Sequence, residues 1–252
     1  MKVLVDGQLI EYKKEGTGKT ILLLHGWGDS LATFDDIAVY LVTRGFEVIR
    51  FDFPGFGNSP APVHTWGVVD YARLTSNVLT KLKITDLYAV IGHSFGGRVI
   101  IKSFANNVLK VDKVILIGAA GIKPARSFKK QIFKSIAKVG KVATAVPGLR
   151  RLRNNLRAKL YNAAGSTDYL LAGNMQKIFL RTINEDLLPE VASVNVPTLL
   201  IWGQEDYETP VKDGITMEQR IKDSRLVVVP ETGHFVFKDD FTAIKKELDL
   251  FL

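Results

Sequence analysis

Leu87-Tyr88-Ala89-Val90-Ile91-Gly92-His93-Ser94-Phe95-Gly96-Gly97 sets an apolar run of strand length directly against a Gly-x-Ser-x-Gly turn. Residues from Gly96 to Asn107 then carry helical spacing, so the serine stands between a predicted strand and a predicted helix. Glycines are needed on both sides because the chain turns so tightly that side chains would collide. The strained geometry lifts the serine hydroxyl clear of the sheet. The helix that follows points its positive N-terminal end at the same place, where it favours developing negative charge.

The same alternation of periods extends in both directions. Upstream, Val3–Val5 and Gln8–Tyr12 flank the hairpin dipeptide Asp6-Gly7, and Thr20–Leu24 is a buried-strand run that ends in His25-Gly26-Trp27-Gly28. Leu31–Arg44 reads as a helix, Phe46–Phe51 as a strand and Trp66–Leu82 as a helix. Downstream come strand Val114–Ile117, then Thr198–Gly203, helix Val211–Ile221, strand Arg225–Val229 and a last helix from Phe241 to Leu250. Repeated strand–helix–strand units predict an α/β fold with a mostly parallel central sheet and helices on both faces. The alternation stops at Gly121, and residues 122–190 read as almost wholly helical. The expected organisation is therefore one core domain, 1–121 with 191–252, interrupted by a helical cap over 122–190.

A serine is a weak nucleophile unless a base takes its proton and a third group orients that base. Of the four histidines, His25 reads as a brace for its own loop, His93 is turned away from its neighbour by the sharp turn, and His64 sits in a Pro-rich loop that fixes nothing. His234 remains, in the loop after Arg225–Val229, at the carboxyl end of a parallel strand where sites form in such sheets. The orienting acid is sought at another strand end between Ser94 and His234. Trp202-Gly203-Gln204-Glu205-Asp206 supplies it, with Asp206 preferred over Glu205 and Glu208. Acyl chemistry also needs N–H donors for the oxyanion, and the backbone N–H groups of Phe95 and Trp27 are the expected pair.

On these motifs the chain resembles the α/β-hydrolase fold superfamily, and within it a serine carboxylesterase with a helical cap. The family order of nucleophile, acid and histidine is matched by Ser94, Asp206 and His234, and its oxyanion loop by His25-Gly26-Trp27-Gly28. Asp52–Ser59 is similar to the family's loop after the fourth strand. The resemblance implies ester hydrolysis through an acyl-enzyme on a small molecule, without metal or cofactor. C–C bond hydrolase and lactonase chemistry on the same triad stay open, as does a membrane-associated or ligand-binding protein with a vestigial site. The C–C hydrolases usually carry Asn before the serine and Trp after the histidine, where this chain has His93 and Phe235. That departure favours esters, and an aromatic lining of Trp27, Phe53, Trp66, Phe95 and Phe235 favours an apolar acyl or aryl group.

The chain has 252 residues, 34 Lys+Arg against 26 Asp+Glu for a net +8, and no cysteine. The lack of cysteine excludes disulfides, thiolate metal sites and a thiol nucleophile. Hydrophobic content of 46% argues against disorder. With no apolar run of about 20 residues and no leader-like N-terminus, the default location is cytoplasmic. Residues 122–190 hold 14 Lys+Arg and four acids, a net +10, so the remainder stands at −2. In 127–146 an apolar stripe has lysines mostly off it, which reads as a roof over the pocket with its charges in water. Weak contact of this basic cap with an anionic membrane surface, or with an anionic substrate, is left open. No nucleic-acid recognition motif accompanies the charge, so no nucleic acid partner is expected.

Overall fold

A computed structural model describes residues 1–123 and 173–252. The stripe predicted over 127–146 and the cation-rich run at 150–159 lie outside the described residues. Strands β1 (Lys2–Val5) and β2 (Gln8–Glu15) form an antiparallel hairpin. Its turn residues Asp6 and Gly7 have φ of 49° and 76°, the left-handed pair that a two-residue hairpin turn demands.

Six more strands follow: β3 (Thr20–Leu24), β4 (Glu47–Phe51), β5 (Leu87–His93), β6 (Lys113–Ile117), β7 (Thr198–Gly203) and β8 (Ser224–Val229). The sheet order is β1-β2-β4-β3-β5-β6-β7-β8; β2 pairs antiparallel with β4, and every pair from β4 to β8 is parallel. The helices are α1 (Asp35–Thr43), α2 (Val68–Lys81), α3 (Phe95–Ala105), α4 (Gln176–Asn184), α5 (Val211–Glu218), α6 (Val236–Asp239) and α7 (Phe241–Phe251).

Both faces of the sheet are covered, which is why its inner strands are apolar at successive positions. Leu22, Leu24, Val90, Leu116, Leu200 and Trp202 point into one cluster with residues of α2 and α3 and with Met217 of α5. Their neighbours Ile21, Leu23, Ile91, Ile117, Leu199 and Ile201 point into the other, with Ile37 and Leu41 of α1 and Ile244 and Leu248 of α7. The period-two alternation divides the core into two layers.

Local differences from the sequence reading are small. The helix predicted over 31–44 splits into a 3₁₀ turn, Leu31–Phe34, and α1, with Ser30 Oγ accepting from the Ala32 N–H at the start. Helix α5 ends at Glu218, and the four-residue α6 has no counterpart in the reading.

The two ends of the predicted insertion meet beside α3. The Leu187 N–H donates to Gly121 O at 2.9 Å, and Asp186 Oδ1 accepts from the N–H groups of Lys123 and Leu188 at 3.2 Å each. Buried Lys102 of α3 reaches Glu185 at 2.7 Å and Glu190 at 2.6 Å, while an Arg98 guanidinium N–H donates to Glu185 O at 2.8 Å. Among the described residues no helix is long and apolar enough to cross a membrane.

Candidate active site

The loops after β3, β4, β5, β7 and β8 all leave the sheet at the carboxyl ends of parallel strands. Ser94 lies between the last residue of β5 and the first of α3, with φ 50° and ψ −108°, a conformation that costs a non-glycine residue energy. The turn is held by Ser94 N–H to Ile117 O at 3.1 Å and by Ala120 N–H to Ser94 O at 3.0 Å. A Cβ on Gly96 would lie 2.0 Å from Leu24 O, and one on Gly92 would lie 2.8 Å from the Gly96 carbonyl carbon. The flanking glycines are therefore a packing requirement of the turn.

Asp206 and His234 form a buried pair, 4% and 8% exposed, with His234 Nδ1 2.8 Å from Asp206 Oδ2. Asp206 Oδ1 accepts from the N–H groups of Glu208 and Thr209 at 2.9 and 2.8 Å. Burial by itself would raise the Asp206 carboxyl; the hydrogen bond and charge of His234 and the donors of Thr209 outweigh it and hold the group below its ordinary value. An ionised Asp206 fixes the proton of His234 on Nδ1 and leaves Nε2 as the basic nitrogen. Of the other acids weighed, Glu205 is exposed, and Glu208 approaches Nε2 with its carboxylate oxygen at 3.5 Å from an exposed position.

The loop His25-Gly26-Trp27-Gly28 abuts the serine turn. A Cβ on Gly26 would stand 3.5 Å from Ser94 Cβ and 2.9 Å from His93 Nδ1, so only glycine lets this backbone come so near. The Trp27 and Phe95 rings meet edge to face at 5.5 Å, which brings the two expected oxyanion donors onto neighbouring segments. Phe95 opens α3, where N–H groups have no intrahelical acceptor. His25 braces this loop as its sequence position suggests. Its Nε2 accepts from Phe53 N–H at 3.0 Å and its Nδ1–H donates to Gly26 O at 2.8 Å, and burial lowers its pKa so that the ring stays neutral.

A family model described as the alpha/beta hydrolase family matches residues 21–244. The chain belongs to the alpha/beta hydrolase family. Among curated proteins, this hydrolase is 27% identical over 247 residues to 2-hydroxy-6-oxo-6-phenylhexa-2,4-dienoate hydrolase of Comamonas testosteroni, covering 90% of this chain and 85% of that one. It is 30% identical over 251 residues to AB hydrolase superfamily protein YisY of Bacillus subtilis (strain 168), covering 89% and 88%. Among solved structures, an esterase from Exiguobacterium antarcticum superposes with a TM-score of 0.76 at 25% identity, covering 99% of this chain and 97% of that one.

Three features of the hydrolase site differ from the sequence reading. The aromatic residues do not form one lining. Trp27, Phe53, Trp66 and Phe95 gather on one side of the sheet, joined by Phe56, Tyr71 and, from α4, Phe179. Phe235 packs in the opposite layer against Phe237, with Lys238 Nζ 4.6 Å above its ring. Residues far apart in sequence carry no signal of this division.

The second feature is Thr209, whose role the sequence does not signal. Its hydroxyl lies 2.8 Å from Asp206 Oδ2, 2.9 Å from Gly118 O and 3.2 Å from His234 Nδ1. The third is His93, which the turn does direct away from Ser94 but onto His234, with ring centroids 4.7 Å apart. His64 is exposed. Among the described residues no group of three or more His, Asp or Glu converges as a metal site would need.

Proposed function

We propose that this alpha/beta hydrolase is a carboxylesterase-type serine hydrolase that cleaves small to medium apolar acyl or aryl esters through an acyl-enzyme. The observation that carries the reading is the buried Asp206–His234 pair at 2.8 Å, on the same sheet edge as a serine held at φ 50°. Ser94 Oγ attacks the ester carbonyl carbon as its proton passes to His234 Nε2. The carbonyl oxygen becomes an oxyanion that accepts from the N–H groups of Trp27 and Phe95. Collapse expels the alcohol, which takes the proton from His234. Water, deprotonated by the same nitrogen, then attacks the acyl carbon, releasing the acid and restoring Ser94.

The aromatic cluster of Trp27, Phe56 and Phe95 beside the serine supports an apolar acyl or aryl substrate. The similarity to an esterase at 25% identity supports the ester class. Residues 122–190 are read as a cap on a core of 1–121 and 191–252; contact of Phe179 with Trp27 at 5.1 Å supports placing the returning part of that segment over the site.

A second reading, C–C bond hydrolysis, is favoured by the curated relative whose name denotes a dienoate hydrolase. The two positions that depart from the C–C pattern, His93 and Phe235, touch each other at 4.9 Å between centroids and favour the ester reading as a unit. Turnover of activated acyl esters, lactones and vinylogous diketones by the wild type and Ser94→Ala decides the matter. Simple esters are expected to give the highest kcat/KM, and Ser94→Ala to lower it by about 10⁴-fold or more. Retention of most ester turnover by Ser94→Ala overturns the mechanism, and a preference for diketones transfers it to the second reading.

A further inference from the structure

His93 is a buried ring, 1% exposed, that the mechanism does not use. Three parts of the site converge on it. It precedes Ser94 in the chain, its Nδ1 lies against the Gly26 backbone, and its Nε2 is 3.0 Å from the carbonyl oxygen of His234. A carbonyl only accepts, so the ring is the Nε2–H tautomer and donates to His234 O. Phe235 and Phe237 pack against it at 4.9 and 5.1 Å, which fixes its plane.

We infer that His93 is a positioning residue for His234. It ties the backbone of the base to the residue beside the nucleophile, so that the ring presenting Nδ1 to Asp206 is fixed relative to Ser94 Oγ. The hydrogen bond acts on the main chain of residue 234. It constrains where the Cα–Cβ bond of His234 starts while Asp206 constrains where the ring ends, and two anchors leave the ring little freedom. Burial first, and then the nearby His234, push the His93 pKa down to about 3, so the tie carries no charge that would oppose an imidazolium 4.7 Å away.

The inference rests on the proposed role of His234 as base, and a pair of amide substitutions tests it separately. His93→Gln places an amide N–H near the position of Nε2, whereas His93→Asn reaches only as far as Nδ1. With an activated acyl ester, His93→Asn is expected to lower kcat by about 10- to 100-fold with KM little changed. His93→Gln is expected to recover most of that loss. The far-downfield proton resonance of His234 Nδ1–H should persist in His93→Gln and broaden or shift in His93→Asn.

Equal losses in the two variants with an unaltered resonance mean that His93 only fills space, and overturn the inference. Full activity in His93→Asn overturns it as well. If His93→Asn does not fold, His93→Leu, of similar bulk and without a donor, takes its place against His93→Gln. Failure of the base reading itself shows elsewhere, as turnover surviving in His234→Gln.

Discussion

Thr209 has one hydroxyl proton and two oxygens to give it to, Asp206 Oδ2 at 2.8 Å and Gly118 O at 2.9 Å. Donated to Asp206, it withdraws charge from the oxygen that faces His234 and so weakens the hold of the carboxylate on an imidazolium. Thr209→Val keeps the backbone N–H that serves Asp206 Oδ1 but removes the hydroxyl. The carboxylate then stabilises the protonated ring of His234 more strongly, and the acid limb of kcat/KM against pH is expected to move to higher pH. Thr209→Ser should leave the limb in place, and an unmoved limb in Thr209→Val would put the proton on Gly118 O. None of this could be read ahead of the structure, because Gly118 is 91 residues away in sequence. Ser94, Asp206 and His234 were legible as positions, since each follows a recognisable strand by a few residues.

At the level of elements, α3 does two jobs. Its first residue leads off from Ser94, and further along it Arg98 and Lys102 hold the segment from Glu185 to Glu190. Lys102 is buried, so removing it leaves Glu185 and Glu190 facing each other across a partly desolvated gap. Lys102→Ala is expected to lower the unfolding free energy by about 2 kcal/mol in urea titrations. A change within error would show that the two ion pairs are screened by solvent. The long elements were legible because their periods repeat: successive apolar residues in β3 and β5 to β7, and a 3.6-residue spacing in α2. Helix α6 and the 3₁₀ turn at Leu31–Phe34 span four residues each, about one turn, and so display no period. Their placement follows from tertiary burial of Val236, Phe237, Leu31 and Phe34.

Over the whole molecule, charge is divided unequally: +10 in 122–190 and −2 elsewhere. If the excess serves an anionic surface, wild-type protein should co-sediment with vesicles of anionic lipid at low salt and be released at high salt. Changing Lys129, Lys130, Lys134, Lys138 and Lys141 to Gln should weaken that binding by roughly a thousandfold or more, at roughly 1 kcal/mol per cation near the surface. Hydrolysis of a water-soluble ester should change little. Absence of binding by the wild type at low salt excludes the lipid reading and leaves the lysines as solvating charge. The joint where Gly121 O meets Leu187 N–H, with Asp186 bridging Lys123 and Leu188, fixes where the chain leaves and re-enters the core. Departure and return points sit side by side, while Met175, Ile178 and Phe179, which lie between them in the chain, pack onto the core and against Trp27. Such a joint works as a socket: with both chain ends fixed beside α3, a change in the length of the stretch between them need not alter the spacing of β6 and β7.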